Sequence, residues 1–299
     1  MMDSVPASEV RAVAENNGSA AKLGPARALT TESFGTTDQG KVRSTNEDQF
    51  VTATLMRALW IKQSSLPQSQ VHYGDDRGHV FIVADGMGGA HGGEKASALA
   101  VSAIEQFLLN ALRWLLTLHG SEEAEVLRDF KVALRSADAC VCAAAANDPG
   151  LSGMGTTLTM AYSLGTDLFV AHVGDSRCYL YRGGVLHQLT HDHTLVGELV
   201  EKGLVQPEDA GGHPFRHVIT NVVGGPKQGL HAEVHRVGLE PGDNLLLCTD
   251  GLTGMLPDGQ IAAVLQSSAT AEAASRELVR LANEQGGKDN VTAVVARYT

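Results

Sequence analysis

The sequence predicts an α+β fold, a sheet core with helices packed outside it. Three observations carry that prediction. Short apolar, β-rich runs bounded by turn residues recur from Asp48 to Leu189 and again from His231 to Tyr298. Two stretches between Ala96 and Val141 repeat apolar residues at helical spacing. Several of the runs follow one another through turn signals, as antiparallel strands do.

Taken in order, residues 1–31 are rich in Ala, Ser, Gly and Asn without periodicity and read as a flexible tail. Residues 32–299 show no linker-like break and read as one domain. Asp48 to Thr54 is a predicted strand. A loop-like insert over residues 55–78 follows, containing Ser64-Ser65-Leu66-Pro67 and Trp60. It either shapes substrate choice or forms a surface loop. His79 to Ala84 is an apolar run short enough for a buried strand. In the first helix Leu99, Ala103, Ile104, Phe107, Leu108, Ala111, Leu112 and Leu115 share one face. The second begins near Ser121, with Glu122 and Glu123 favourable in its first turn and Leu127, Phe130, Leu134 and Val141 facing inward. Thr156–Tyr162, Leu168–Val173 and Cys178–Tyr181 are predicted strands. Gly183-Gly184 turns the chain into Val185–Leu189. His231–Val237 and Asn244–Thr249 flank a turn at Pro241-Gly242. A helix over residues 270–285 places Leu278 and Leu281 inward, and Val291–Tyr298 closes the chain as a strand.

Composition narrows the function. The chain has 299 residues, 43% of them hydrophobic, enough to bury a sizeable core. Its formal net charge is -11 and it has no dense Lys/Arg cluster, which argues against nucleic-acid binding. The helix candidate from Ala96 to Leu118 is interrupted by Glu105, Gln106, Asn110 and Arg113, so it packs within the protein and no membrane span is expected. Residues 1–30 hold no apolar core segment, so no signal peptide is expected. The four cysteines, Cys140, Cys142, Cys178 and Cys248, form no Cys-x-x-Cys pair and read as reduced core thiols of a cytoplasmic protein.

The chemistry concentrates at strand boundaries. Phe81-Ile82-Val83-Ala84 runs into Asp85-Gly86, and Leu245-Leu246-Leu247-Cys248-Thr249 into Asp250-Gly251. An Asp ending a buried strand is held rigidly, and the following Gly lets its carbonyl approach a ligand closely. Asn46-Glu47-Asp48, Gly174-Asp175-Ser176-Arg177 and Asp289-Asn290 repeat the pattern. Each alone reads as a turn. If they converge, two such charges about 4 Å apart repel by roughly 4 kcal/mol at an effective dielectric near 20, and divalent ions turn that repulsion into a binding site. An oxygen-only set favours magnesium or manganese over zinc. Arg43, four residues before Glu47, reads alone as a surface arginine, yet its guanidinium has the fork that holds a phosphate oxygen pair.

The ordered set Arg43-x-x-Asn46-Glu47-Asp48, Ala84-Asp85-Gly86-Met87-Gly88-Gly89, Gly155-Thr156-Thr157, Gly174-Asp175-Ser176-Arg177, Asp192-His193-Thr194, Asp250-Gly251 and Asp289-Asn290 closely resembles the type 2C, metal-dependent protein phosphatases, in their compact bacterial branch. The resemblance runs from about Phe34 to Tyr298. It implies a central antiparallel β-sandwich flanked by helix pairs on both faces, with two Mn2+ or Mg2+ ions at one end and a third, weaker ion. By the same resemblance, Asp85 bridges the two ions, Asp250 and Asp289 bind the first, and Glu47 and the Gly86 carbonyl serve the second. Asp175 binds the third ion with Asp250, Arg43 holds the substrate phosphate, and Asp48 and Asn290 support the ligands from behind. The implied reaction is hydrolysis of phosphoserine and phosphothreonine esters by a metal-activated water. The implied partners are phosphorylated proteins and a cognate bacterial-type Ser/Thr kinase.

The pattern departs from the family after Gly88-Gly89. Many bacterial relatives place His there, whereas this chain has Ala90 and then His91. The proton donor to the leaving group is therefore His91 or water. Two alternative functions share the implied fold: a non-catalytic phosphoprotein-binding module, and a phosphatase of an anti-sigma antagonist. The complete acidic set argues against the first.

Overall fold

The computed structural model describes residues 29–63, 71–88, 91–111, 123–226 and 229–299. Apart from its last three residues, the predicted N-terminal tail lies outside them.

Two antiparallel sheets build the centre. The first has the order β1-β12-β11-β7-β8, where β1 is Thr31–Asp38, β7 Arg177–Arg182, β8 Val185–Gln188, β11 Asn244–Cys248 and β12 Val291–Tyr298. The second has the order β10-β6-β5-β3-β4-β9, with β2 paired to β3. Here β2 is Asp48–Trp60, β3 Val71–Met87, β4 Gly155–Thr156, β5 Leu158–Leu164, β6 Asp167–Val173, β9 Val223–Gly224 and β10 Glu233–Gly238.

Helices cover both outer faces. Over the second sheet lie α1 (Gly92–Ala111) and α2 (Glu123–Asn147). Two short helices, α3 (Leu195–Glu201) and α4 (Pro207–Ala210), follow in the chain. A single turn, α5 (Asp250–Thr253), leads to α6 (Asp258–Ser267) and α7 (Ala271–Glu284), which cover the first sheet.

This layering explains why the strands read as continuous apolar runs. Phe81 and Val83 of β3 face Leu245 and Leu247 of β11 and Val294 and Ala296 of β12 between the sheets. Val80, Ile82 and Ala84 face the α1/α2 pair instead. With both faces covered, period-2 alternation between apolar and polar residues disappears. A cluster of Phe130, Tyr162 and Phe169, with ring centroids 6.0–6.4 Å apart, anchors α2 on the second sheet.

Several expectations need correction. The insert over residues 55–78 is largely strand: pairing continues from Thr54↔His79 to Trp60↔Val71, with a bulge between Met56 and Ala58. The Ser64-Ser65-Leu66-Pro67 motif lies outside the described residues. Strand β1 was not foreseen, because Thr31-Glu32-Ser33-Phe34-Gly35 carries little β signal. Its register comes from β12, some 260 residues away. Helix α6 was also missed, being only ten residues long with three buried apolar side chains. In α1 the fully buried stripe is Ala96, Ala100, Ile104 and Leu108, while Leu99, Ala103 and Phe107 are half-buried. The small alanines bring that face, rather than the bulkier one, close to the sheet. Leu112, Leu115 and Ser121 lie outside the described residues. All four cysteines are free, but Cys142 is exposed and Cys140 half-buried, so only Cys178 and Cys248 are core thiols.

Candidate active site

Strand ends from both sheets meet at one end of the sandwich, and polar side chains lock them together. Asp48 opens β2 opposite Asp85 of β3. Its Oδ2 accepts hydrogen bonds from the Thr249 and Thr292 hydroxyls at 2.8 and 2.7 Å. Thr249 directly precedes Asp250, and Thr292 lies three residues beyond Asp289. One buried carboxylate therefore ties the second sheet to the two strands of the first that carry the other acids. Oδ1 of Asp48 is buried without a hydrogen-bond partner.

Asp85 is held by its backbone. Its N–H donates to Thr157 Oγ1 at 2.9 Å, and its carbonyl accepts from Thr157 N–H and Thr156 Oγ1. Thr157 Oγ1 in turn shares a 2.7 Å hydrogen bond with Ser176, which fixes the Gly174–Arg177 turn and Asp175 to the same frame.

Glycines admit the remaining ligand segments. A Cβ on Gly86 would collide with the Gly93 carbonyl, and one on Gly93 would lie 2.6 Å from the Glu47 carboxylate. Glu47 thus rests against the start of α1, where Ser97 Oγ donates to its carbonyl at 2.7 Å. A Cβ on Gly251 would fall on the Asn290 carbonyl oxygen. Asn290 staples the loop over residues 39–46 to β12: its Nδ2 donates to the Gln39 and Thr45 carbonyls at 2.9 and 2.8 Å, and its Oδ1 accepts from Glu47 N–H.

The electrostatics are those of crowded like charges. Burial, then the charges of Asp48, Asp250, Asp175 and Asp289, push the Asp85 carboxyl well above its ordinary range. Burial raises Asp48 to about 7, against the two threonine hydrogen bonds. Burial and Asp250 raise Asp175 to about 8. Asp250 is raised by burial and Asp289, partly offset by His217, by a hydrogen bond with Asp85 and by Arg43. Arg43 pairs with Asp289 Oδ2 at 2.6 Å.

The donor set is carboxylates and carbonyls, its charges repel one another, and one buried oxygen lacks a partner. Those properties fit hard divalent cations. The cluster is nonetheless more open than a single ion's coordination shell. Among the described residues, the only three His, Cys, Asp or Glu side chains whose ligating atoms all lie within 4.8 Å are His172, His193 and Glu233. Hydrogen bonds already commit that trio. His193 Nδ1 accepts from Gly174 N–H and Asn221 Nδ2, which places its proton on Nε2. His172 Nε2 faces the Gly174 and His191 carbonyls, which only a protonated nitrogen satisfies. The trio braces the Asp175 turn rather than offering lone pairs to a metal.

His91 is exposed and adopts φ 73°, the one non-glycine residue with positive φ among those described. It stands near enough to Glu47 to lower that carboxyl's pKa, which burial raises overall. Sequence reasoning quoted Thr156, Thr157, Asp192 and His193 without giving them roles. The structure uses Asp192 as a two-point partner of Arg177, at 2.8 and 2.6 Å, and Thr194 as the cap of α3. Thr249, Thr292, Ser97 and His217 were not singled out. Only the position of the two threonines, one beside Asp250 and one just beyond Asp289-Asn290, could have pointed to them. The segment between Leu204 and Val223 is rooted by Leu195 N–H to the Val218 carbonyl and Thr220 N–H to the His193 carbonyl, both 2.8 Å.

Comparison with known proteins gives a consistent result. A family model described as protein phosphatase 2C matches residues 61–295. The serine/threonine phosphatase stp of Listeria innocua is 32% identical over 259 residues, covering 87% of this chain and 92% of that protein. The serine/threonine protein phosphatase PstP of Mycobacterium tuberculosis is 35% identical over 260 residues, covering 87% of this chain and 43% of PstP. Among solved structures, the catalytic domain of PstP in complex with two manganese ions superposes with a TM-score of 0.70 at 30% identity, covering 91% of this chain and all of that one. The phosphatase Stp1 of Staphylococcus aureus superposes with a TM-score of 0.73 at 27% identity, covering 92% and 97%.

Proposed function

The chain belongs to the protein phosphatase 2C family and is a metal-dependent serine/threonine protein phosphatase, and on that premise we propose that its active site is the carboxylate cluster at the end of the sandwich. Residues 32–299 act as the phosphatase domain. Asp85 would contribute to holding both of two Mn2+ or Mg2+ ions, Asp250 and Asp289 would hold the first, and Glu47 and the Gly86 carbonyl would hold the second. Asp175 and Asp250 would hold a weaker third.

When bound, the ions supply Lewis acidity, lowering the pKa of a shared water and neutralising phosphoryl charge. The chain's own residues do the rest. Asp48, with one oxygen fixed by two threonines and the other free, accepts a hydrogen bond from water at the centre. Arg43 is 54% exposed and spends one nitrogen on Asp289, so its remaining donors face outward to two phosphoryl oxygens. Asn290 keeps the Arg43 loop against the ligands. His91 or water gives the proton to the departing serine or threonine oxygen. No covalent phosphoenzyme is needed, and both core thiols are held protonated by burial.

The observation that carries this reading is the convergence on Asp48, where the segments bearing Asp85, Asp250 and Asp289 are joined around an unpartnered carboxylate oxygen. The substrates are phosphorylated proteins, and a cytoplasmic bacterial-type Ser/Thr kinase is the natural opposing partner. No helix among the described residues is long and apolar enough to cross a membrane. The test is hydrolysis of a phosphothreonine peptide with Mn2+, Mg2+ or chelator, beside Asp250→Asn. Turnover is expected with either metal and absent in chelator and in the variant. Unchanged turnover in chelator would sink the metal assignment.

A further inference from the structure

The loop over residues 39–46 and the residues before β12 interlock next to the acidic cluster. Lys41 N–H donates to the Gly287 carbonyl at 2.7 Å. A Cβ on Gly40 would collide with the Asp289 carbonyl oxygen. Gly287, at φ 52°, lets the Lys41 stem cross it, since a Cβ there would lie 3.2 Å from Lys41 Cγ. The interlock fixes the backbone of three exposed side chains: Lys41, Val42 and Lys288.

The chain carries 34 acidic and 23 basic residues. Arg43, Arg177, Arg182, Arg236, Arg276 and Arg280 all sit in ion pairs. Among the described residues Lys41 and Lys288 make none, as is also true of Lys95, Lys131, Arg135 and Arg216 elsewhere on the surface. Val42 is 68% exposed, among the most exposed large apolar side chains described. Val42 adjoins Arg43 and Lys288 adjoins Asp289, so each Cα stands about 3.8 Å from that of a residue proposed to bind phosphate or metal. Residues flanking a phosphate held by Arg43 would lie near them.

We infer that Lys41, Val42 and Lys288 form a preorganised rim that reads the residues flanking the phosphorylated one. An acidic side chain lies against the two lysines and an apolar one on Val42. The inference rests on the assignment of Arg43 to the substrate phosphate. Charge complementarity supports it, because two exposed cations that pair with no carboxylate among the described residues lie within two residues of the groups proposed to hold phosphate and metal. The fixed backbone means that little ordering entropy is lost on binding.

The experiment compares kcat/KM for two phosphothreonine peptides, one flanked by Glu and Leu and the other by Lys and Gly. The native chain is expected to favour the first several-fold. Screening at about 1 M salt, where the Debye length falls to about 3 Å, should shrink the ratio towards that set by Val42 alone. The double variant Lys41→Glu/Lys288→Glu should invert the charge preference, and Val42→Asp should remove the Leu preference. A native ratio near one, or a ratio indifferent to both salt and charge reversal, overturns the inference. Native Mn2+-dependent hydrolysis of an aryl phosphate is measured in parallel. Its absence would instead count against the phosphatase assignment itself.

Discussion

Asp48 shows how a single side chain joins fold and chemistry. It satisfies one oxygen with two threonines, each adjacent to or near another acid, and leaves the second oxygen free inside the cluster. The raised pKa values have a testable consequence. Asp48 moves from 3.8 to about 7 and Asp175 to about 8. A carboxyl that binds its proton more tightly when folded adds stability below about pH 4 and loses it as the pH climbs through 7 to 8. In chelator, the melting temperature is therefore expected to fall between pH 5 and 8. Mn2+ should restore it most at pH 8, because the cation takes the place of the protons. A flat or rising profile in chelator would contradict the mutual repulsion. Arg43→Ala is expected to raise KM for phosphate esters more than it lowers kcat, because the proposed role of its guanidinium is to hold phosphate. Steady-state kinetics on an aryl phosphate decide this.

At the level of elements, strands position the acids and glycines let the loops approach. Gly251 directly follows Asp250 in α5, and its backbone lies against the Asn290 carbonyl. Gly251→Ala should displace Asp250 from Asp289 and weaken Mn2+ binding at least tenfold by titration calorimetry, while the far-UV spectrum stays native. The β2–β3 hairpin teaches the opposite lesson. Its ladder runs from Asp48↔Asp85 at the site to Trp60↔Val71, roughly 40 Å away at ~3.3 Å per residue. The far end of this ladder is expected to lie away from the reacting phosphate, which favours a surface role for the hairpin. Replacing residues 57–73 by a two-residue turn is expected to leave kcat/KM for a phosphopeptide within about twofold of the parent. A large loss would place the hairpin in substrate recognition after all.

Across the whole molecule, two sheets and two helix pairs bring together carboxylates separated by more than 200 positions in the chain, and metal binding should stabilise the entire assembly. Mn2+ at about 100 times its dissociation constant is expected to add roughly 2.7 kcal/mol, read as a melting-temperature rise that chelator reverses. Asp85→Asn should lose most of that rise. Much of this architecture was legible in advance. The apolar runs before Asp85-Gly86 and Asp250-Gly251 marked buried strands that end in acids, and the order of seven short motifs identified the family. Local composition sufficed there because a strand buried on both faces must be apolar, and a ligand at its end must be an acid beside a flexible turn. Other features were decided only by tertiary structure. Strand β1 exists because β12 offers it an edge, residues 55–60 and 71–78 are strand because they pair with each other, and Thr249 and Thr292 matter because folding brings both hydroxyls to Asp48. The physical reason is common to all three. Their stabilising partners lie far along the chain, so no local pattern announces them until the sheets have closed.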